Sequence, residues 1–251
     1  MTAVEPGRVA GGIGVPDLVR AELTKICTLP ATWIALALAL SADTLVGLLA
    51  ATDAVRVAGQ DGQVAIARLG TVLSAPVYAF VAVPVFAAGG EYRTGQVRVS
   101  LLAVPDRNRF FLSKLLAILA VMAATALPVV LPGHLARHAL GDAGETAGGL
   151  FAKVAAYLLL GSVAYGFAVL ARAVVTPLAV LVVLPILVSP LLRGFAPGVV
   201  RLLPHEATLS FLGVPEGPEL ALARPVGLSV VVAWAVTVVG AAWPATVRRD
   251  G

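Results

Sequence analysis

Charge is what this sequence has least of. Asp, Glu, Lys and Arg make up only 13% of its 251 residues, where soluble domains carry about 25%. Apolar residues reach 59% and the mean hydropathy is +0.95, which excludes an ordinary soluble domain. A single cysteine, Cys27, rules out an internal disulfide and reads as a small apolar filler. The dipeptide Gly-Lys never occurs, so a phosphate-cradling P-loop is excluded, and there is no H-E-x-x-H metalloprotease motif. The three histidines, His134, His138 and His205, support no Ser-His-Asp set, and no enzymatic activity is expected. His134 and His138 lie four apart, and with Asp142 and Glu145 they are the nearest approach to a metal site; a wet outer loop with two histidines is the simpler reading. No cleavable signal is expected, because mixed residues precede the first apolar run.

What is abundant is long apolar runs. A bilayer core needs about 20 apolar residues as helix, and six stretches qualify, about 31–52, 69–90, 112–132, 152–171, 173–192 and 225–247. They are continuous rather than alternating, so they read as helices, not barrel strands. The expectation is an all-α integral membrane protein of six transmembrane helices, with residues 1–15 a mobile tail and 16–251 a single transmembrane domain. Prolines 76, 84, 128, 132, 177, 185 and 190 fall within or beside these runs. They fit bent helices with alternative packings, as a transporter would use, and they fit ordinary membrane-helix composition as well.

The net charge of +4 does not point to nucleic acid, because the basic residues cluster beside the runs, where they set topology. More of them fall in 1–30, 91–114, Arg172 and the Arg248-Arg249 tail than in the intervening loops. The positive-inside rule then places both termini and the 91–114 loop in the cytoplasm. Asp43 is the one acid within a run, a functional hypothesis by default. With no matching base in another run it makes a poor proton relay, and a wet outward cavity or snorkelling accounts for it better. Residues 193–224 form a long outer loop with Pro197, Pro204, Pro215 and Pro218. Its apolar half argues for short helices that partly re-enter the outer leaflet.

The longest polar stretch is 91–114, EYRTGQVRVSLLAVPDRNRFFLSK, set between two apolar runs. Gly89 and Gly90 are expected to end the second span. A short helix is expected over Thr94–Val104, with Val97, Leu101 and Leu102 on one side and Arg98 on another. Pro105 stops it, Asp106-Arg107-Asn108 makes a turn, and the third span starts near Lys114. Before the first span, Leu18, Val19, Leu23 and Ile26 recur at helical spacing with Arg20, Glu22 and Lys25 elsewhere, which reads as an amphipathic helix lying on the inner surface, the alternative being a simple cytoplasmic extension of the first span.

Glu91, Gly95, Leu101, Leu102, Pro105, Arg107 or Arg109, and Lys114, together with the Arg20-x-Glu22-x-x-Lys25 spacing upstream, resemble the type-2 permease subunits of ATP-binding cassette (ABC) exporters, notably the drug and lipid exporters of high-GC bacteria. Gln96 departs from the threonine common there. The layout of spans, outer loop and Arg-rich tail matches along nearly the whole chain, whereas the specific motif covers about 25 residues.

The resemblance implies half of a pore in the bacterial cytoplasmic membrane that moves a hydrophobic or amphipathic substrate. A second copy or a paralogue would complete it, and an ABC ATP-binding subunit would dock on each half. The chain itself would bind no cofactor; ATP and magnesium would sit on the ATPase. Glu91, Arg93, Gly95, Gln96, Leu101, Leu102, Pro105, Arg107 and Arg109 would form the cytoplasmic coupling helix and its flanks, and Arg20, Glu22 and Lys25 the N-terminal interfacial helix beside it. Two other classes stay open: an ion-coupled secondary transporter, which predicts paired intramembrane charges and an internal repeat, and a non-transporting membrane interaction or immunity protein.

Overall fold

The computed structural model describes residues 14–51, 75–104, 106–139 and 146–249, and these are helical with no strand among them. Most of the expected N-terminal tail, residues 69–74, Pro105, Asp142 and Glu145 lie outside the described residues.

Helix α1 (Val15–Thr28) stops where Pro30 opens α2 (Pro30–Ala51), because a proline pushes the residue before it out of the helical region; Leu29 is extended, with ψ 117°. Then come α3 (Ala75–Thr94), the short α4 (Gln96–Ala103), the long α5 (Arg107–Ala139) and α6 (Ala147–Ala171). The next run divides into α7 (Val175–Val183), a π-helical turn (Leu184–Val188) and α8 (Ser189–Arg193). Two small helices, α9 (Pro197–Val200) and α10 (Pro204–Leu212), and a 3-10 turn (Pro218–Leu220) lead to α11 (Arg224–Arg249).

Five of these segments are long and apolar enough to cross a membrane: Pro30–Leu49, Arg107–Ala139, Ala147–Ala171, Val175–Arg193 and Arg224–Arg248. Helix α3 is not among them, because its described part ends in the polar turn Gly89–Thr94. Helix α6 is central, with 56% of its most apolar stretch buried against 22% for Val175–Arg193. Its Ala164, Tyr165 and Ala168 share one buried apolar core with Phe80 and Val81 of α3 and Ile118 and Met122 of α5.

Several expected boundaries are corrected. Gly89 and Gly90 do not end α3, which continues to Thr94. Gly89 serves close approach instead: a Cβ there would stand 2.4 Å from the Ala173 carbonyl oxygen. The turn falls at Gly95, whose φ of 72° suits glycine, so the short helix starts at Gln96 rather than Thr94. Asp106 is a helix cap rather than part of a turn. Its carboxylate accepts from the Asn108 and Arg109 backbone N–H groups at 3.0 and 3.2 Å, so α5 begins well before residue 112. Leu102 does not share the buried side of α4 with Val97; it points to solvent.

Glycine also sets the α2–α5 contact. A Cβ on Gly133 would stand 2.4 Å from both the carbonyl oxygen and Oδ2 of Asp43, and one on Gly47 would stand 2.4 Å from the Gly133 carbonyl. Backbones in such contact cannot yield as a flexible side chain would. Gly133→Ala is expected to force the two helices apart and cost about 1–3 kcal/mol, read as a fall in the unfolding midpoint in detergent.

Candidate functional site

Four ionisable side chains from three helices meet at the end of the bundle that carries 91–114. Glu22 and Lys25 come from α1, Glu91 from α3 and Lys114 from α5. Lys25 Nζ donates to Glu22 Oε1 at 2.6 Å, to Glu91 Oε1 at 3.1 Å and to Ser100 Oγ of α4 at 3.2 Å. Lys114 Nζ donates to Glu22 Oε2 at 2.9 Å and stands 2.7 Å from Glu91 Oε2. Its charge also lies 5.3 Å from the centre of the Phe110 ring. Two carboxylates and two ammonium groups balance, which is what lets Glu22, Glu91 and Lys114 be buried.

The local sequence explains the meeting. Val19, Leu23 and Ile26 form the apolar stripe of α1 and pack against the core; Glu22 lies within that stripe and is carried inward with it. The apolar face of α1 is thus turned onto the protein. Burial pushes the Glu22 carboxyl up, but Lys114 and Lys25 outweigh it and hold the group below its usual 4.5. Burial likewise pulls Lys25 down, but Glu22 and Glu91 hold it above its usual 10.5.

The residues expected to meet a partner divide into two sets. Glu91 is buried in the ion cluster, and Arg107 is turned inward, donating to the Val247 carbonyl of α11 at 3.0 Å. Beside it, Trp243 Nε1 donates to Asn108 Oδ1 at 2.8 Å. Leu101 is half-buried, while Arg93, Gly95, Gln96, Leu102 and Arg109 are exposed. Val99, at 67% exposed, and Leu102, at 84%, give α4 an outward apolar face. In the N-terminal helix, Arg20 is exposed, Lys25 half-buried and Glu22 buried. Arg172, expected on the same side as 91–114, stands over the Tyr92 ring at 5.8 Å.

A second polar cluster, at the opposite end, was not among the expected sites. Glu206 of α10 is 1% exposed. It accepts from Ser189 Oγ at 2.5 Å and from Arg193 at 3.2 Å, and His205 Nε2 lies 3.4 Å away. Arg193 also pairs with Glu216. Burial pushes the Glu206 carboxyl up, but His205, Ser189 and Arg193 together hold it below its usual 4.5. The π turn places Ser189: Pro185 has no N–H to give, and the Ser189 N–H reaches back five residues to the Leu184 carbonyl. The available sequence signal was an acid behind Pro204 in an otherwise apolar stretch. The short helices expected in 193–224 are present, and residues 204–210 of α10 are all buried within the protein.

Asp43 is buried, at 7% exposed, and Tyr157 donates to its Oδ1 at 3.2 Å. His134 is likewise buried in α5 rather than part of a wet loop, while His138 is exposed. Cys27 is exposed, not a filler. No group of three or more metal-ligating side chains occurs among the described residues. No protein-family model matches the sequence, and no curated protein matches it.

Proposed function

We propose that this chain is the membrane-spanning subunit of an exporter driven by a separate ATPase, which docks on the 91–110 segment. The observation that carries the reading is the division of that segment. Its inner side is fixed by four balanced charges to α1, α3 and α5, and its outer side is an apolar face, Val99 and Leu102, that no described residue covers. A loop that served only to set topology would need basic residues, but neither a buried anchor nor an exposed apolar helix face. A handle for an external engine needs both. The anchor makes it stiff, so that a push on α4 moves the ends of α3 and α5 together with α1. The Arg107 bond to Val247 ties the same segment to α11.

In this reading α3 is a further span, and both termini and 91–114 face the cytoplasm. Helix α1 lies at the inner surface beside the dock, and a second copy or a paralogue completes the pore. A hydrophobic or amphipathic substrate crosses between the halves. ATP and magnesium are bound and consumed by the ATPase. The resemblance in residues 91–114 and 20–25 supports the assignment to type-2 ABC permeases.

Co-purification tests it. The chain, tagged at its C-terminus and extracted in mild detergent, is expected to carry with it an ATPase that has a P-loop. A folded, monodisperse preparation with no ATPase would contradict the proposal and favour a secondary transporter or a membrane interaction protein.

A further inference from the structure

Tyr165 of α6 is fully buried, at 0% exposed, and its hydroxyl has no hydrogen-bond partner among the described residues. A buried hydroxyl left this way costs about 1–3 kcal/mol, and such groups are nearly always satisfied in folded proteins. Tyr165 lines a cavity of about 10 Å³ together with Glu91, Lys114, Tyr92 and Thr246. That volume matches the room needed by about one water, which also requires 2–4 polar neighbours.

The neighbours have capacity to spare. Lys114 has three N–H donors; one is used on Glu22 and one is directed toward Glu91. Glu91 Oε2 stands 2.7 Å from Lys114 Nζ but makes no hydrogen bond of good angle. The Thr246 hydroxyl donates to the Ala242 carbonyl at 3.0 Å and keeps its lone pairs free to accept. Apart from Tyr92, the rest of the lining is apolar, including Ala88, Phe110, Phe111 and Val169.

We infer that this cavity is a binding site for a single internal water, which joins the Tyr165 hydroxyl to the Glu91–Lys114 pair. Through it the central helix α6, which contributes no charge to the ion cluster, gains a polar connection to it.

Two measurements on the full chain test it. In Tyr165→Phe the water loses one partner, and the folded-to-unfolded ratio in a denaturant titration in detergent is expected to fall about five- to tenfold. If the cavity were dry, the substitution would remove an orphaned hydroxyl, and an unchanged or higher ratio would overturn the inference. A density map of the native chain, at a resolution that shows ordered water, should place a peak within hydrogen-bonding reach of Tyr165 Oη and of Lys114 Nζ or Glu91 Oε2. An empty cavity in such a map would overturn it even if Tyr165→Phe is destabilised.

Discussion

Replacing Lys114 with methionine is expected to destabilise the folded chain by about 3–5 kcal/mol, the cost of leaving a buried charge uncompensated. Lys114 is in contact with both Glu22 Oε2 and Glu91 Oε2, and Lys25 is already engaged on their other oxygens. Without Lys114, two buried carboxylates share one ammonium group. The first structural consequence is release of α1, because Glu22 then has reason to return to water. Hydrogen exchange across 15–28 should rise more than exchange across α6. Adding Glu22→Gln to Lys114→Met removes one of the stranded charges, and part of the lost stability should return; single and double variants measured together make a mutant cycle.

The cluster also fixes a pH window. Glu22 is held below its usual 4.5, so its stabilisation is present above that value and is lost as pH falls through the depressed one. Lys25 is held above its usual 10.5, so its stabilisation is present below that value and is lost as pH rises through the raised one. Between these limits both the Glu22 and the Lys25 contributions are present.

The second large effect is at the opposite end. Glu206→Ala is expected to cost about 3 kcal/mol or more, because Ser189 loses its acceptor and the Arg193 guanidinium loses one of its two carboxylate partners among the described residues. Glu206→Gln keeps an acceptor for Ser189 and should cost less. The loss should be local, with hydrogen exchange rising through 189–212 while α1 stays protected. Since the folded carboxyl titrates below 4.5, its contribution is present above that pH and fades as pH falls through the depressed value.

The helices themselves were legible, because a continuous apolar run has few alternatives. Their ends were harder. Asp106 and Thr146 are ordinary capping residues, Thr146 accepting from the Gly149 N–H at 3.2 Å, yet each sits where hydropathy alone places a loop. Pro185 signalled a disturbance, but not that the chain would answer with a π turn. At the candidate site, Glu22, Lys25, Glu91 and Lys114 could all be picked out. That they would meet one another could not, because Glu22 and Lys114 are 92 positions apart and a single sequence carries no pairing information. Surface charge was therefore the natural reading of residues that are in fact buried. Glu206 and Asp43 show the same limit: an acid in an apolar stretch announces itself, but its partners Ser189 and Tyr157 are ordinary residues of other helices.

The central claim is that 91–114 is anchored on one side and offered to an ATPase on the other. Leu102→Asp separates the two sides. The residue is 84% exposed, so the variant should unfold at the native midpoint, within about 0.5 kcal/mol. Prepared beside the native chain, it is expected to come through purification folded but without the ATPase that the native chain retains. A folded Leu102→Asp chain that still holds the ATPase at native stoichiometry would contradict the account.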